Sequence, residues 1–211
     1  MKKTVSGFVR QVLRNTMLRH RFARKNRIGG KVLFSKDTLM GEGCTIGRNV
    51  IFGPEVRIGN NVIIGAGAVI ERMEIGDNSV VEGGVIITGH GDGRIRVGRE
   101  SFIGHNTVLD FSDNITIGNY VHVGYNQFWT HSSAMQAFNG ISLADKDKRY
   151  RPTAPVIVED NVYVGVNSTV YPGVTIGHHS IIAPNSVVTK NVESYTLVGG
   201  APAKAIKNLK E

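Results

Sequence analysis

The chain has 211 residues, of which 41% are hydrophobic, and this length fits one main domain with room for an appendage. No apolar run approaches the roughly 18 residues of a membrane-spanning helix, and the single cysteine, Cys44, excludes an intramolecular disulfide framework and a zinc site built on a cysteine pair. The net charge of +8 comes from the N terminus, where residues 1–35 hold ten basic and no acidic side chains, and this argues against a nucleic-acid partner for the body of the protein.

Residues 1–35 are predicted to form a basic, amphipathic helical segment. Between residues 4 and 22 the apolar side chains fall near one helical stripe, and the arginines lie largely off it. The stripe consists of Val5, Phe8, Val9, Val12, Leu13, Met17 and Phe22. Two uses stay open: the stripe packs on the first edge of the next domain, or residues 1–31 attach to an anionic membrane surface.

The same segment does not have the features of a secretion signal. Its apolar residues are interspersed with arginines, and no small-residue cleavage site follows them. We therefore expect a cytoplasmic protein, with peripheral contact at the inner face of the membrane as the open alternative.

A period of six residues dominates the sequence that follows. It fits neither an amphipathic helix nor an alternating hairpin, and it predicts very short strands joined by tight bends, each with one inward side chain. Stacked coils of this kind bury a continuous apolar column. The column positions are Ile46, Phe52, Ile58, Ile64 and Ile70, then Ile75, Val81 and Ile87, then Val97, Ile103 and Leu109, then Ile117, Val123 and Trp129, and finally Val158, Val164, Val170, Ile176, Ile182 and Val188.

Glycine and asparagine recur beside these positions, where the bends are expected. Both tolerate the positive φ that tight bends require. The asparagines are Asn61, Asn78, Asn119, Asn161 and Asn185. We predict an all-β domain of stacked coils over residues 36–196, followed by a C-terminal tail or short helix over residues 197–211.

Two polar stretches interrupt the repeat. Residues 88–96 are rich in glycine and are expected to form a surface loop without a chemical role. Residues 131–155 are longer, and a polar loop of this length inside a compact domain is usually functional or disordered. The second interruption begins directly after Trp129-Thr130-His131.

Three stretches of the sequence resemble the hexapeptide-repeat acyltransferases, especially the maltose, galactoside and polysaccharide O-acetyltransferases. They are Ile-Gly-Asp-Asn-Ser-Val (75–80), Val-Tyr-Pro-Gly-Val-Thr-Ile-Gly (170–177) and Leu-Val-Gly-Gly-Ala-Pro-Ala-Lys-Ala-Ile-Lys (197–207). The resemblance covers about residues 40–207. It implies a left-handed parallel β-helix, a homotrimer with sites between subunits, and transfer of an acetyl group from acetyl-CoA to a hydroxyl of a sugar or glycan, without a metal.

Acetyl transfer to a hydroxyl needs a general base, because an alcohol is a poor nucleophile at neutral pH, and histidine suits this role. Of the seven histidines, His131 stands where a coil ends and the long loop begins, and it matches the family's catalytic histidine. The resemblance implies that Asn106 and Asp110, on the preceding coil, orient it. Both could instead cap bends, a common use of these residue types.

Coenzyme A requires a narrow slot for its pantetheine and cations for its phosphates. The motif match implies that the slot and the phosphate site are formed by Gly165, Val166, Ala183, Pro184, Thr189, Lys190, Lys204 and Lys207. The two lysines near the C terminus could instead lie on a solvated helix face. Tyr125 and Trp129, on the coil that leads to His131, could stack on a sugar ring, although Trp129 also fits the core column.

Two other classes of protein are compatible with the repeat. A γ-class carbonic anhydrase needs two histidines five residues apart, and no pair here has that spacing. A non-catalytic β-solenoid scaffold needs neither His131 nor the long loop, and failure to bind CoA would favour it.

Overall fold

Three parallel β-sheets, visited in turn by successive short strands, form the body of the protein. The structure is a computed structural model that describes residues 15–142, 144–145, 147 and 149–210. Helix α1 covers residues 15–23 and helix α2 is Ala134–Phe138. The strands are β1 (Arg27–Ile28), β2 (Leu39–Met40), β3 (Thr45–Ile46), β4 (Ile51–Phe52), β5 (Arg57–Ile58), β6 (Ile63–Ile64), β7 (Val69–Ile70), β8 (Met73–Ile75), β9 (Val80–Val81), β10 (Ile86–Thr88), β11 (Ile95–Val97), β12 (Phe102–Ile103), β13 (Val108–Asp110), β14 (Ile115–Ile117), β15 (His122–Val123), β16 (Gln127–Phe128), β17 (Val156–Val158), β18 (Tyr163–Val164), β19 (Thr169–Val170), β20 (Thr175–Ile176), β21 (Ile181–Ile182), β22 (Val187–Val188), β23 (Thr196–Gly199) and β24 (Lys204–Asn208).

Apart from the two ends of sheet A, each sheet collects every third strand, as expected for a coil with three sides. Sheet A runs β1-β3-β6-β9-β12-β15-β18-β21-β23-β24, sheet B runs β22-β19-β16-β13-β10-β7-β4, and sheet C runs β2-β5-β8-β11-β14-β17-β20. All neighbours are parallel except β23 and β24. The all-β domain of stacked coils expected from the repeat is confirmed, as is the left-handed parallel β-helix that the resemblance implies.

The register explains the period of six. In a regular coil, Ile46 pairs with Ile64 and Val164 pairs with Ile182, so partners are three hexapeptides apart in sequence. Each two-residue strand of this kind turns one aliphatic side chain inward, and in the stacked core column the four residues of these two pairs are at most 2% exposed. Burial of such a side chain stabilises the fold by about 1.5–3 kcal/mol before the loss of chain entropy is counted. No single coil could retain this burial without its neighbours.

The bends adopt the predicted backbone. Asn61, Asn78, Asn161 and Asn185 have φ between 55° and 59°. In the remaining bend it is Tyr120, with φ 55°, that takes the left-handed conformation, while its neighbour Asn119 accepts a hydrogen bond from the backbone of Arg99 at 3.0 Å. Left-handed backbone suits asparagine better than most residues because its short polar side chain can bond locally.

The register prediction for Trp129 is wrong by one residue. Phe128, which is fully buried, pairs with Leu109 and Val170 in the core column, whereas Trp129 is half-buried beyond the end of the strand. This coil is one residue shorter than its neighbours at the bend before Phe128. Asn126 replaces the missing length there, because its side chain donates to the carbonyl of Val164 at 3.1 Å and accepts from the backbone of Ser168 at 2.7 Å.

The expected C-terminal helix is also wrong. Residues 204–208 form strand β24, which runs antiparallel to β23 at the end of sheet A. The predicted alternative of a solvated helix face for Lys204 and Lys207 therefore does not apply, although both side chains are exposed. An antiparallel strand pairs the last edge of sheet A, which a helix would have left open.

Helix α1 packs on the first coil, one of the two uses expected of the basic segment. Phe22 is buried, with its ring centroid 5.1 Å from that of Phe34, which in turn stacks 5.3 Å from Phe52. Met17, a member of the expected stripe, is 73% exposed, and Leu18 packs against the core instead. The stripe residues Val5, Phe8, Val9, Val12 and Leu13 lie outside the described residues. The first strand begins at Arg27, so the coils start before the expected boundary at residue 36.

In the part of the chain that the structure describes, no helix has the length and hydropathy to cross a membrane. Cys44 is fully buried, and burial raises the pKa of its thiol.

Candidate active site

The insertions that lengthen the repeat lie at one corner of the coil. We call the turns from sheet B to sheet C the B–C corner, and those from sheet A to sheet B the A–B corner. Residues 89–94, 111–114 and 129–155 all extend the B–C corner, each on the coil after the previous one. Three consecutive longer turns therefore stack there, and His131 lies in the third.

His131 is paired with a fully buried carboxylate. Its Nδ1 lies 2.6 Å from Oδ2 of Asp110, and its backbone N–H donates to the same oxygen at 3.1 Å. The Asp110 side chain is 0% exposed and that of His131 is 16% exposed. A buried carboxylate facing Nδ1 assigns the ring proton to that nitrogen and leaves the lone pair on Nε2. The structure thus brings together these two residues of the predicted catalytic set.

The hydrogen bonds around Asp110 keep it ionised. Burial alone would raise the pKa of its carboxyl, but hydrogen bonds from the Ser112 hydroxyl, from His131 and from the backbone of Thr130 outweigh burial and hold the pKa below its ordinary value of 3.8. The distances are 2.7 Å from Ser112 Oγ and 2.9 Å from Thr130 N. A charged carboxylate is therefore available to orient the imidazole and to stabilise it when it is protonated.

Ser112 is a site residue that sequence reasoning missed. Its hydroxyl donates to Oδ1 of Asp110, lies 3.2 Å from Nδ1 of His131 and accepts from the backbone N–H of His90 at 3.1 Å. A serine two residues after an aspartate is the signal that could have suggested it, since such side chains commonly bond locally.

The glycine-rich turn that contains His90 supports the site, contrary to the expectation for residues 88–96. Gly89 has φ +127°, and a Cβ there would lie 2.4 Å from Oδ1 of Asp110. A Cβ on Gly91 would lie 2.3 Å from the carbonyl oxygen of Ser112. Glycine is required here because the turn passes directly over the buried carboxylate.

The long insertion leaves and rejoins the coil beside His131. His131 forms an antiparallel bridge with Thr153, the backbone N–H of Ala154 donates to the carbonyl of Thr130 at 2.9 Å, and that of Ser132 donates to the carbonyl of Pro152 at 3.2 Å. This pairing brings Arg151 to the site, where its Nη2 lies 3.2 Å from Nε2 of His131. Arginine can only donate, so Nε2 accepts this bond, in agreement with the ring proton on Nδ1.

An open cleft of about 460 Å³ lies in front of His131. Gln127, Trp129, Thr169 and Tyr171 line it together with His131. Trp129 and Tyr171 directly follow the paired residues Phe128 and Val170, so the two aromatic side chains stand on neighbouring coils. Tyr171 is 46% exposed and was not predicted, because a single tyrosine in a regular repeat carries no signal of its own.

Two predicted site residues lie elsewhere. Asn106 is exposed at the A–B corner with φ 54°, and its backbone N–H donates to the carbonyl of Gly83 at 3.1 Å. Asn106 therefore has the role in a bend that was the alternative to orienting His131, and no described hydrogen bond links Asn106 to Asp110 or His131. Tyr125, 50% exposed, is also at the A–B corner, where its carbonyl accepts from Asn167.

The residues expected to bind CoA divide between two corners. Gly165 and Val166 lie under Ala183 and Pro184 at the A–B corner, where the backbone N–H of Gly165 donates to Ile182 at 2.9 Å. Lys204 faces Gly199 at that end of β23, and Lys207 faces Leu197. Thr189 and Lys190 instead follow β22 at the B–C corner, two coils beyond His131. One chain therefore presents these residues on two separate edges.

The described residues contain no group of three or more histidine, cysteine, aspartate or glutamate side chains placed to hold a metal ion.

The sequence matches known proteins in the coils. The bacterial transferase hexapeptide family (six repeats) matches residues 37–72 and 155–190. A Schizosaccharomyces pombe protein, provisionally assigned as an acetyltransferase, is 38% identical over 120 residues, which are 54% of this chain and 53% of that protein. WbbJ of Escherichia coli, provisionally assigned as a lipopolysaccharide biosynthesis O-acetyltransferase, is 30% identical over 122 residues, 47% of this chain and 60% of WbbJ.

Among solved structures, a variant of AntD, an N-acyltransferase from Bacillus cereus in complex with dTDP-4-amino-4,6-dideoxyglucose and coenzyme A, has a TM-score of 0.56. It is 21% identical, over 88% of this chain and 84% of that chain, a likeness of fold. The chain spans little more than half the length of the two relatives above. The chain thus carries the bacterial transferase hexapeptide repeat in both regular arrays of a three-sheet coil, and over about half of its length it is similar to proteins assigned as acetyltransferases.

Proposed function

We propose that the protein transfers an acetyl group from acetyl-CoA to a hydroxyl of a sugar or glycan, with His131 as the general base. The observation that carries this proposal is the pairing of His131 with the buried carboxylate of Asp110, at 2.6 Å, on the wall of an open cleft. The relatives assigned as acetyltransferases, one of them for lipopolysaccharide, support the reaction and the acceptor class.

The chemistry uses the two nitrogens of His131 for separate tasks. Nε2 takes the proton of the acceptor hydroxyl as its oxygen attacks the thioester carbonyl, and Nδ1 keeps its hydrogen bond to Asp110. The C–S bond then breaks, and the CoA thiolate takes the proton from Nε2. Asp110 stabilises the imidazolium between the two steps, and Ser112 holds the carboxylate in place.

The acceptor would lie against the aromatic wall of the cleft. A sugar ring offers an apolar face that packs on aromatic side chains, and Trp129 and Tyr171 present two such surfaces on neighbouring coils. The amide of Gln127 accepts a hydrogen bond from the indole of Trp129 at 3.1 Å and holds that ring in position.

The donor site would be shared between copies of the chain. Gly165, Val166, Ala183, Pro184 and Lys204 belong to one corner, and Thr189, Lys190 and His131 to another, so one CoA molecule could meet both sets only where two chains adjoin. A homotrimer with sites between subunits satisfies this requirement. Lys204 and Lys207 would face the phosphates.

The outer faces of the sheets support an interface between copies. Large apolar side chains are exposed in register on sheet A (Ile63, Tyr163, Ile181) and on sheet B (Ile51, Val69, Ile86), each at least 36% exposed. Sheet C also exposes Leu39 and Ile157, but between them it carries an ion-pair ladder in which Glu74 lies 3.4 Å from both Arg57 and Arg96. Exposed apolar ladders of this kind mark surfaces that bind other molecules.

Residues 1–31 would add a peripheral contact with the inner face of the membrane in a cytoplasmic enzyme.

Calorimetric titration of CoA, followed by an acceptor screen that measures release of the CoA thiol, tests the proposal. We expect about one CoA per chain, weaker binding after Lys204→Ala/Lys207→Ala, and a loss of about 10²–10⁴-fold in transfer after His131→Ala. His20→Ala, in the exposed face of helix α1, is the matched control and should retain activity. No binding at millimolar CoA, or full activity of His131→Ala, would contradict the proposal and favour a carrier-protein donor or a scaffold.

A further inference from the structure

Arg151 occupies the position that an acceptor must take. The oxygen of a reacting hydroxyl has to come within about 2.6–3.2 Å of the base that removes its proton. Nη2 of Arg151 is 3.2 Å from Nε2 of His131. Because Nε2 has one lone pair, it cannot accept from Arg151 and from a hydroxyl at the same time, and the bound acceptor must displace the guanidinium.

The backbone next to Arg151 is fixed against the coil. The next residue, Pro152, accepts from the backbone of Ser132, and Thr153 bridges His131. The backbone that carries Arg151 is thus held against the coil by the same pairing that closes the long insertion. We therefore expect displacement by an acceptor to move the side chain only and to leave the guanidinium beside His131.

In the described part of the chain, the displaced guanidinium has no acidic partner. Among the described residues, no carboxylate forms an ion pair with Arg151. Asp147, in the same insertion, already binds Arg149, and both oxygens of Asp110 accept hydrogen bonds from Ser112, Thr130 and His131. A half-buried arginine without an acidic partner is costly to desolvate, and its planar fork matches a carboxylate or a phosphate.

We propose that Arg151 is an acceptor-recognition residue and that the natural acceptor carries an anionic group, a carboxylate or a phosphate, close to the hydroxyl that is acetylated. The proposal rests on the proposed function and names its substrate class. An anionic acceptor exchanges the Arg151–His131 hydrogen bond for a bidentate bond to its own charged group, and this frees Nε2. A neutral sugar offers no such exchange and competes with Arg151 for the base.

The test compares acceptors that differ in charge. Glucuronate and glucose 6-phosphate are the anionic probes and glucose is the neutral one, assayed by release of the CoA thiol with wild type, Arg151→Ala, Arg151→Lys and Arg149→Ala. We expect Arg151→Ala to lower kcat/KM for at least one anionic probe by about 10–100-fold, the loss of a hydrogen-bonded charge pair, and to raise it for glucose. Arg151→Lys keeps the charge without the fork and should lie between. Arg149→Ala, which removes a neighbouring cation paired with Asp147, should leave the ratio unchanged.

The opposite signs for charged and neutral acceptors are the signature of anion recognition. An equal loss for all three probes would overturn the proposal in favour of a charge-independent role in catalysis. An equal gain would overturn it by showing that Arg151 only blocks Nε2 of His131. No change would overturn it by showing that Arg151 has no role in the site.

A binding measurement separates this proposal from the proposed function. Glucuronate and glucose 6-phosphate are titrated into wild type and Arg151→Ala in the presence of CoA. Anion binding that depends on Arg151 supports recognition even if no acetyl group is transferred, in which case the proposed transfer fails alone. Binding of neither anion, or equal binding to both proteins, overturns the recognition proposal whatever the transfer assay shows.

Discussion

The A–B corner and the B–C corner of the coil begin from the same repeat and serve different purposes. At the A–B corner nearly every coil repeats one tight bend, with positive φ at Asn49, Gly67, Asn106, Asn167 and Asn185. At the B–C corner three consecutive turns are longer, and a buried carboxylate, a histidine and an arginine lie in or directly beside them. The regular corner holds the stack together, and the interrupted corner holds the candidate chemistry.

The cause of the difference is the closure of the longer turns. An insertion is tolerated where its two ends stay close enough to continue the neighbouring strands. The insertion after Thr130 meets this condition through the bridge between His131 and Thr153. Because the three longer turns stack on consecutive coils, their polar side chains reach one another, as Ser112 and Asp110 reach His131.

The largest expected effect is a difference in transfer activity between variants of two aspartates that lie at different corners. Asp110→Asn removes the charge that orients His131, and we expect transfer to fall by about 10²–10⁴-fold. Asp160→Asn is the matched control, because Asp160 also accepts a backbone hydrogen bond, from Asn119 at 2.8 Å, but at a regular bend between sheets C and A. Steady-state kinetics of both variants check this, and a comparable loss in the two would refute the special role of the B–C corner.

A smaller effect distinguishes two glycines with positive φ. Gly67 at the A–B corner has open space around its missing Cβ, so Gly67→Ala should cost only the strain of a left-handed residue, about 1–2 kcal/mol. Gly89→Ala should cost about 1–3 kcal/mol and, because its Cβ would meet Asp110 Oδ1 at 2.4 Å, reduce transfer by about 10–100-fold. Urea unfolding and kinetics of the folded variants measure the two effects. Normal activity of Gly89→Ala would show that the glycine-rich turn does not support the site.

The smallest effect is a dependence of stability on pH. Hydrogen bonds hold the pKa of Asp110 below 3.8 in the folded protein despite its burial, so its contribution to the free energy of unfolding is present above about pH 3.8 and is lost as the pH falls through the folded pKa. Asp110→Asn lacks this titration. The difference in free energy of unfolding between wild type and Asp110→Asn, measured by urea between pH 6 and pH 2, should shrink below pH 3.8. A difference that stays constant over this range would contradict the assignment.

The regular part of the protein could be predicted from its sequence because each coil repeats the same local requirement. An inward aliphatic side chain every six residues and a residue that tolerates positive φ in the bend suffice to identify strands, bends and stack. The prediction that Trp129 lies in the core column was wrong because the coil lacks one residue before Phe128. The side chain of Asn126 makes the hydrogen bonds that the missing backbone would make, and the six-residue period does not reveal this. It was also wrong for β24, whose conformation depends on the open edge of sheet A.

For the candidate site, the sequence determined that His131 stands where the repeat breaks, and its resemblance to a known family singled out Asp110. Only the tertiary structure decided that Asp110 and not Asn106 meets His131, that Ser112 and the turn at Gly89 support the carboxylate, and that Arg151 reaches Nε2. The reason is physical: contacts along a β-helix join residues one coil apart, and insertions of different length make that interval irregular at the B–C corner. Distances along the chain therefore predict the core column, whereas the contacts of the longer turns follow from how those turns stack.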